Sequence, residues 1–421
     1  MSMNIKYKTF AVTYSLLLYT AIRAMILVII PLGYSLFNRI FYLSIEKTKI
    51  KLLGGIFFVS SIVGLALQWI DLENVIIAAW VFIPILILFF CCPSKANFMI
   101  DCDKFIKITA IAIFIVDILG IILNTRGTLT SIYGEHYEVV HGMAMVNALY
   151  LFYYGVKFYK REANIIEKIA AAFFGYYFFL CDFGVGKMCL VVTIGIYLLI
   201  HAKVKYFILT AIAVSCWTYL SKSEMFQNEM MQMNYAQESQ DNARKTLMFT
   251  EVPKFFAENP VAAIVGCGPG GYNSRATQLI NQDANNIFTD IFGKHSPLWY
   301  KKYIYPLWNH TFVSMSSYTD GTRNKPFSSF VAVLCEYGGL ALWLVFGTWG
   351  KRIIFYLKKE NESIWYSILL WINLFYFISC IAHEWMDSTE FVAFLMFNYL
   401  LLNELLKNNN KLPYEKNIFC R

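Results

Sequence analysis

VIIAAWVFIPILILFFCC, from Val75 to Cys92, decides what solvent this chain folds in. A bilayer core takes roughly 20 helical residues per crossing, and an apolar run of this length reads as a transmembrane helix. Its backbone polar groups are then satisfied inside the helix, as hydrocarbon demands. Comparable runs lie near 10–22, 24–38, 52–70, 105–123, 141–157, 168–182, 187–202, 206–220, 327–347, 364–384 and 389–406. The expected fold is therefore an all-α polytopic membrane protein with about 12 spans. If Arg23 lies inside one long tilted helix, the first two runs merge and the total is eleven. Composition agrees: of 421 residues, 58% are hydrophobic and only 15% charged, too little polar surface for a soluble domain. The start, MSMNIKYKTF, leads into an apolar run without a small-residue cleavage site, so the first segment is expected to be a retained anchor.

Lysine and arginine set the orientation, because short basic loops stay cytoplasmic. With the long polar segment placed outside, inner connections and tails hold twenty-three of the 36 basic residues, from Lys6 and Lys8 to Lys416 and Arg421. The short outer connections hold only Arg23, Arg126 and Lys187. The net charge of +8 is thus a topology signal, and no nucleic-acid partner is inferred. Three regions follow: 1–220 with nine spans and a short outer loop at 124–140, a large outer loop at 221–326, and 327–421 with three spans and a cytoplasmic tail. The expected location is an inner membrane with the large loop outside the cytoplasm. Most cysteines lie in or beside apolar runs, where they act as small hydrophobes. Cys267 is alone in the large loop, so no disulfide or cysteine metal site is expected.

The large loop carries ten basic and nine acidic side chains, and connections this long are usually functional. Residues 242–257 place Leu247, Met248, Phe255 and Phe256 at mixed helical spacing and stop at Asn259-Pro260, an amphipathic helix expected to lie on the membrane surface. VAAIVGCGPGGYNSR, Val261 to Arg275, matches G-x-G-x-x-G formally, yet no βαβ unit surrounds it and Pro269 interrupts the turn. Its glycines, with Gly268, Gly270 and the neighbouring Tyr272 as candidate substrate contacts, read either as a tight structural turn or as a cradle of N–H groups facing an anion. Asp182-Phe183-Gly184 matches a kinase magnesium motif with no other kinase element present.

Arginines outside the membrane are few: Arg126 in the short loop, and Arg244, Arg275 and Arg323 in the large one. A guanidinium fork matches phosphate oxygens bidentately and keeps its charge, so several converging on one cavity would hold a diphosphate; singly, each reads as a solvated loop charge or interface anchor. Six scattered histidines form no metal cage. His310, in WNHTF, is the candidate general base toward a sugar hydroxyl, against a plain surface histidine. His383, Glu384 and Asp387 form a polar outer corner read as structural. Trp299, Tyr300, Tyr303, Tyr305 and Trp308 read as a headgroup belt in preference to a sugar-stacking surface.

Asn259-Pro260, then GCGPGGYNSR, then PFSSFVAVLCEYGGLALWL from Pro326 follow one another as in the large loop and following helix of the bacterial O-antigen polymerases, the Wzy family. The chain resembles that family, and the related O-antigen ligases, over nearly its whole length in topology and over about forty residues in motif. Two positions depart from the pattern. Phe327 stands where a histidine often precedes the helix glutamate, here Glu336, and Tyr137 and Phe255 stand eleven positions after Arg126 and Arg244 where some members have glycine. The resemblance implies a bacterial inner membrane with the large loop in the periplasm, and a GT-C-like glycosyltransferase that transfers a growing glycan from undecaprenyl diphosphate to a lipid-linked repeat unit. It needs no metal or other cofactor, and its partners are the lipid-linked donor and acceptor, membrane lipid and, in some systems, a chain-length regulator. In that scheme Arg126 and Arg244 grip the diphosphate or glycan, Arg275 assists, Arg323 is a further candidate for substrate binding, and His310 or Glu336 activates the acceptor hydroxyl. Ligation of the glycan to lipid A core and flipping of the lipid-linked oligosaccharide are the alternatives.

Overall fold

The computed structural model describes residues 42–122, 138–181, 183–201, 247–282, 284, 286–307 and 327–409. The chain is mostly helical. Lys47–Ala66 (α1) and Leu72–Phe90 (α2) are followed by Cys102–Ile122 (α3), Glu138–Tyr159 (α4), Ile165–Leu180 (α5) and Gly184–Ile200 (α6). Short helices then make up the described part of the large loop: Leu247–Glu258 (α7), Pro260–Val265 (α8), Arg275–Ile280 (α9) and Ile287–Phe292 (α10). The chain returns through Ser329–Leu342 (α11), Thr348–Lys359 (α12), Ile364–Ala382 (α13) and Thr389–Asn409 (α14). Among the described residues, Leu43–Ile45 and Cys91–Pro93 form a small antiparallel pair, with Leu43 opposite Pro93.

Helices occupy nine of the expected span positions among the described residues. Among the described residues, four segments are long and apolar enough to cross a membrane: Lys47–Ala66, Leu72–Phe90, Ser329–Lys359 and Ile364–Ala382. The expected spans at 10–22, 24–38 and 206–220 lie outside the described residues. The run expected to end at 347 continues to Lys359 through a wider turn at Trp343–Gly347. Lysine and arginine stems allow this, carrying their charges toward polar partners: Arg352 donates to the Phe89 carbonyl at 3.3 Å.

Local chemistry sets the helix ends. Asn164 accepts from the Glu167 N–H at 2.9 Å while the Glu167 carboxylate accepts from the Asn164 N–H at 3.0 Å, a reciprocal cap that starts α5. Tyr150 and Tyr154 of α4 stack on Phe174 of α5, closing the pair into a hairpin. At its end Lys157 bridges Asp103 at 2.5 Å and Glu167 at 3.1 Å, and Lys107 reaches the same two carboxylates. Lys157→Met removes a buried cation from between two acids that Lys107 still partly neutralises. The expected cost is about 2 kcal/mol, seen as a lower apparent melting temperature in detergent.

Two apolar cores result among the described residues. One is the helix bundle; the other joins the loop helices to the first half of α11, with Met248, Val252, Phe255, Tyr272, Trp299, Tyr300, Tyr303, Phe327, Val331 and Cys335 all buried. Two expectations are corrected here. Helix α7 turns its apolar side into this second core instead of onto a membrane surface. Trp299, Tyr300 and Tyr303 form the core's interior, Trp299 lying 5.6 Å from Phe255 and 5.8 Å from Trp69, and are not a headgroup belt. Lys302 reaches over Trp299 and Tyr303 and pairs with Glu258, whose carboxyl that ammonium holds below its ordinary range.

Candidate functional site

Helix α11 is broken at Gly338, whose φ of 83° and ψ of 175° no helix contains. The break leaves carbonyls at the end of its first half without helical partners, and the glycine turn supplies donors. Cys267 N–H donates to the Cys335 carbonyl at 2.8 Å, and Gly268 N–H to that of Glu336 at 3.1 Å, while Ser60 of α1 adds its hydroxyl to the same Glu336 oxygen at 2.8 Å. Gly266, at φ 78° and ψ 175°, has the conformation of Gly338. Each glycine lies against the other strand's backbone: a methyl at Gly266 would fall 2.1 Å from the Glu336 carbonyl oxygen, and one at Gly338 2.1 Å from that of Ile264. Two helix ends thus cross through matched glycines.

The turn beyond this crossing closes around the Glu336 side chain, which is fully buried. Gly270 N–H donates to its Oε2 at 2.7 Å, and the N–H groups of Tyr272, Asn273 and Ser274 donate to its Oε1 at 3.1, 3.1 and 2.9 Å. Successive N–H groups converging on one point make an anion nest, and here the anion belongs to the chain itself. The Gly270 carbonyl accepts from Asn74 at 3.2 Å and from Thr277 at 2.8 Å, fixing the turn to α2 and α9.

This places several expected site residues together and changes what they do. Gly268 and Gly270 have their N–H groups committed to Glu336, and both are buried. The Tyr272 ring is buried against Phe255 at 5.0 Å, and burial raises its phenol above the ordinary range. Glu336, a candidate base, has both carboxylate oxygens engaged by backbone donors. Cys267 is not isolated from other thiols: it docks on Cys335, and both are free and buried. Arg126, Arg244, His310 and Arg323 lie outside the described residues.

Arg275 opens α9 directly after the nest and is half-buried. Its N–H donates to Asp387 Oδ2 at 2.8 Å, which carries the site into the connection between α13 and α14. That connection holds Glu384 and Asp387, with Glu390 just inside α14, all three carboxylates buried. It is tied to the start of α11: Ser329 N–H donates to the His383 carbonyl at 3.2 Å, and Trp385 and Met386 N–H groups donate to Ser329 Oγ at 2.9 and 3.0 Å. Glu390 packs against Gly142 in the first turn of α4. A corner read as structural from sequence therefore adjoins Arg275 and the start of α4. Its signal was present: HEWMDSTE concentrates acids between two apolar runs. Among the described residues, no group of three or more His, Cys, Asp or Glu side chains is placed to hold a metal ion.

Compared with family models, curated proteins and solved structures, the chain matches none.

Proposed function

We propose that the chain polymerises lipid-linked oligosaccharide repeat units at the periplasmic face of a bacterial inner membrane. One observation carries this. The three strings on which the Wzy resemblance rests are separated in sequence but joined in space: Asn259-Pro260 leads into the glycine crossing, the glycine turn encloses Glu336, and Glu336 belongs to the Pro326 string. A motif set that folds into one unit has a shared physical cause for its spacing.

In the proposed reaction the acceptor sugar hydroxyl attacks the donor's anomeric carbon. The bond from that carbon to the lipid diphosphate breaks, the hydroxyl proton passes to a base, and the diphosphate leaves with the electron pair. Arg126 and Arg244 hold the diphosphate, and Arg275 assists from the start of α9. Fixed cations stabilise the charge that develops on the leaving group. Holding two membrane-bound substrates side by side supplies much of the remaining acceleration. With both Glu336 oxygens engaged, the proposal assigns the base to His310 and gives Glu336 the task of positioning the turn from which Arg275 projects. Arg323 remains a further candidate for glycan contact.

Deleting the gene and resolving surface polysaccharide by length tests the activity. Core capped by single repeats supports polymerisation. Uncapped core with accumulated lipid-linked polymer would instead indicate a ligase, and loss of all periplasmic glycan a flippase. Arg126→Ala and Arg244→Ala are each expected to lower chain extension by about 10²-fold or more at unchanged protein level, the scale of losing one preorganised charge-stabilising donor. Normal ladders from both variants would sink the diphosphate grip. Full polymerisation by His310→Ala would remove His310 as base.

A further inference from the structure

The geometry points to a membrane re-entrant element within the loop that hydropathy assigns to water: Asn259–Gly268 dips into the bilayer beside α11, and Val261 and Ile264 face lipid acyl chains. This does not depend on the proposed activity.

Depth comes first. Gly338 lies nine residues into the segment Ser329–Lys359, long and apolar enough to cross a membrane. At 1.5 Å per residue that is about 13 Å from the segment's start, close to half of a hydrocarbon core of about 30 Å. Tyr337, the preceding residue, stacks with Phe57 of α1 at 6.0 Å and Phe82 of α2 at 5.3 Å. Each partner is the eleventh residue of its helix, in helices of 20 and 19 residues, so both sit at mid-length. The Ile264 carbonyl abuts Gly338 and is therefore at the same depth. From there the chain climbs: Cys267 and Gly268 bond back toward Cys335 and Glu336, and Gly270 reaches Asn74 in the first turn of α2.

The surface chemistry follows the depth. Val261 is 54% and Ile264 71% exposed, while Ala262 between them is buried against the protein. On α11 and its continuation, Leu340 is 47% and Trp343 60% exposed. Two large apolar side chains are thus bared on a membrane-length helix and two on the element that crosses it at Gly338, which suits a lipid-facing surface. Irregular backbone at membrane depth is tolerated only when buried in protein with its polar groups satisfied. Residues 266–274 meet that condition: all are buried, Pro269 has no N–H, Gly266 donates to the Ala262 carbonyl and Gly271 to that of Gly268, and the other N–H groups bond to the Cys335 and Glu336 carbonyls or to the Glu336 carboxylate.

The test places a nitrobenzoxadiazole fluorophore on Ile264→Cys, and separately on Val261→Cys, in full-length protein with Cys91, Cys216 and Cys420 replaced by serine. Trp343→Cys and Lys301→Cys are labelled as references on α11's continuation and on the exposed lysine face. Each labelled protein that elutes as a single species is reconstituted in phosphatidylcholine vesicles. Strong quenching at 264 and 261 by acyl-chain doxyl phosphatidylcholine, matching 343, with weak quenching by iodide, is the expected result. Lys301→Cys is expected to reverse the order. Iodide quenching at 264 and 261 equal to that at 301 overturns the proposal, as does quenching by neither agent, which would mean that protein covers these side chains.

Discussion

Gly266→Ala or Gly338→Ala is expected to deprive the chain of its native fold. At both positions φ lies near +80° and ψ near 175°, a region essentially reserved for glycine, where another residue costs of order 1–3 kcal/mol in strain alone. The added methyl would also fall 2.1 Å from a backbone carbonyl oxygen on the opposing strand, Glu336 in one case and Ile264 in the other. Backbone held by helices on both sides cannot move aside as a flexible side chain would. Relieving the clash means separating the two helix ends, which strips the Cys335 and Glu336 carbonyls of the Cys267 and Gly268 donors. Strain, overpacking and lost hydrogen bonds together exceed about 4 kcal/mol, a large share of what holds a domain folded. The measurement is the fraction of protein eluting as a single species from mild detergent, with its apparent melting temperature. Gly350→Ala, which meets no atom within 4 Å, should match the parent in both. A Gly266→Ala protein as stable as the parent would mean that the crossing is not closed as described.

How much of this was legible beforehand depended on the range over which each signal acts. Apolar runs report on the solvent around a single helix, so α2 is visible in Val75 to Cys92 without reference to any other part of the chain. The glycine cluster is equally local as a demand for unusual backbone, and it could be read as a turn that gathers N–H groups. What fills that turn is not local. Glu336 lies 66 residues beyond Gly270, and nothing in either string names the other. The same limit explains the aromatic segment: Trp299, Tyr300 and Tyr303 have the composition of an interfacial belt and of an amphipathic core alike, and only the docking of α7 and Tyr272 decides between them. Buried polar residues in apolar helices carried a usable hint. Ser60 in α1 and Asn74 in α2 are costly in hydrocarbon unless partnered; Ser60 bonds the Glu336 carbonyl and Asn74 the Gly270 carbonyl of the glycine turn. The acids of HEWMDSTE carried a similar one, since three carboxylates between apolar runs require partners, and Arg275 N–H is one of them.

Glu336→Ala is expected to open the turn, and comparison with Glu336→Gln separates bracing from chemistry. Removing the carboxylate leaves the N–H groups of Gly270, Tyr272, Asn273 and Ser274 buried without an acceptor, at about 1–3 kcal/mol each and more than about 4 kcal/mol together. Glutamine keeps one oxygen, able to take the three donors that converge on Oε1. Its amide nitrogen must then face the Gly270 N–H, a donor against a donor, so an intermediate loss of about 2 kcal/mol is expected. Apparent melting temperature should therefore fall in the order parent, Gln, Ala. A local readout accompanies it: Cys267 is buried in the parent with its N–H on Cys335, and its alkylation by N-ethylmaleimide should accelerate in the same order as the turn undocks. If Glu336 instead acts mainly as a proton acceptor, the Gln variant keeps the parent's melting temperature and slow Cys267 alkylation while chain extension disappears. The bracing role predicts that glycan length and Cys267 protection decline together, because Arg275 is held one residue beyond the last N–H that the carboxylate binds.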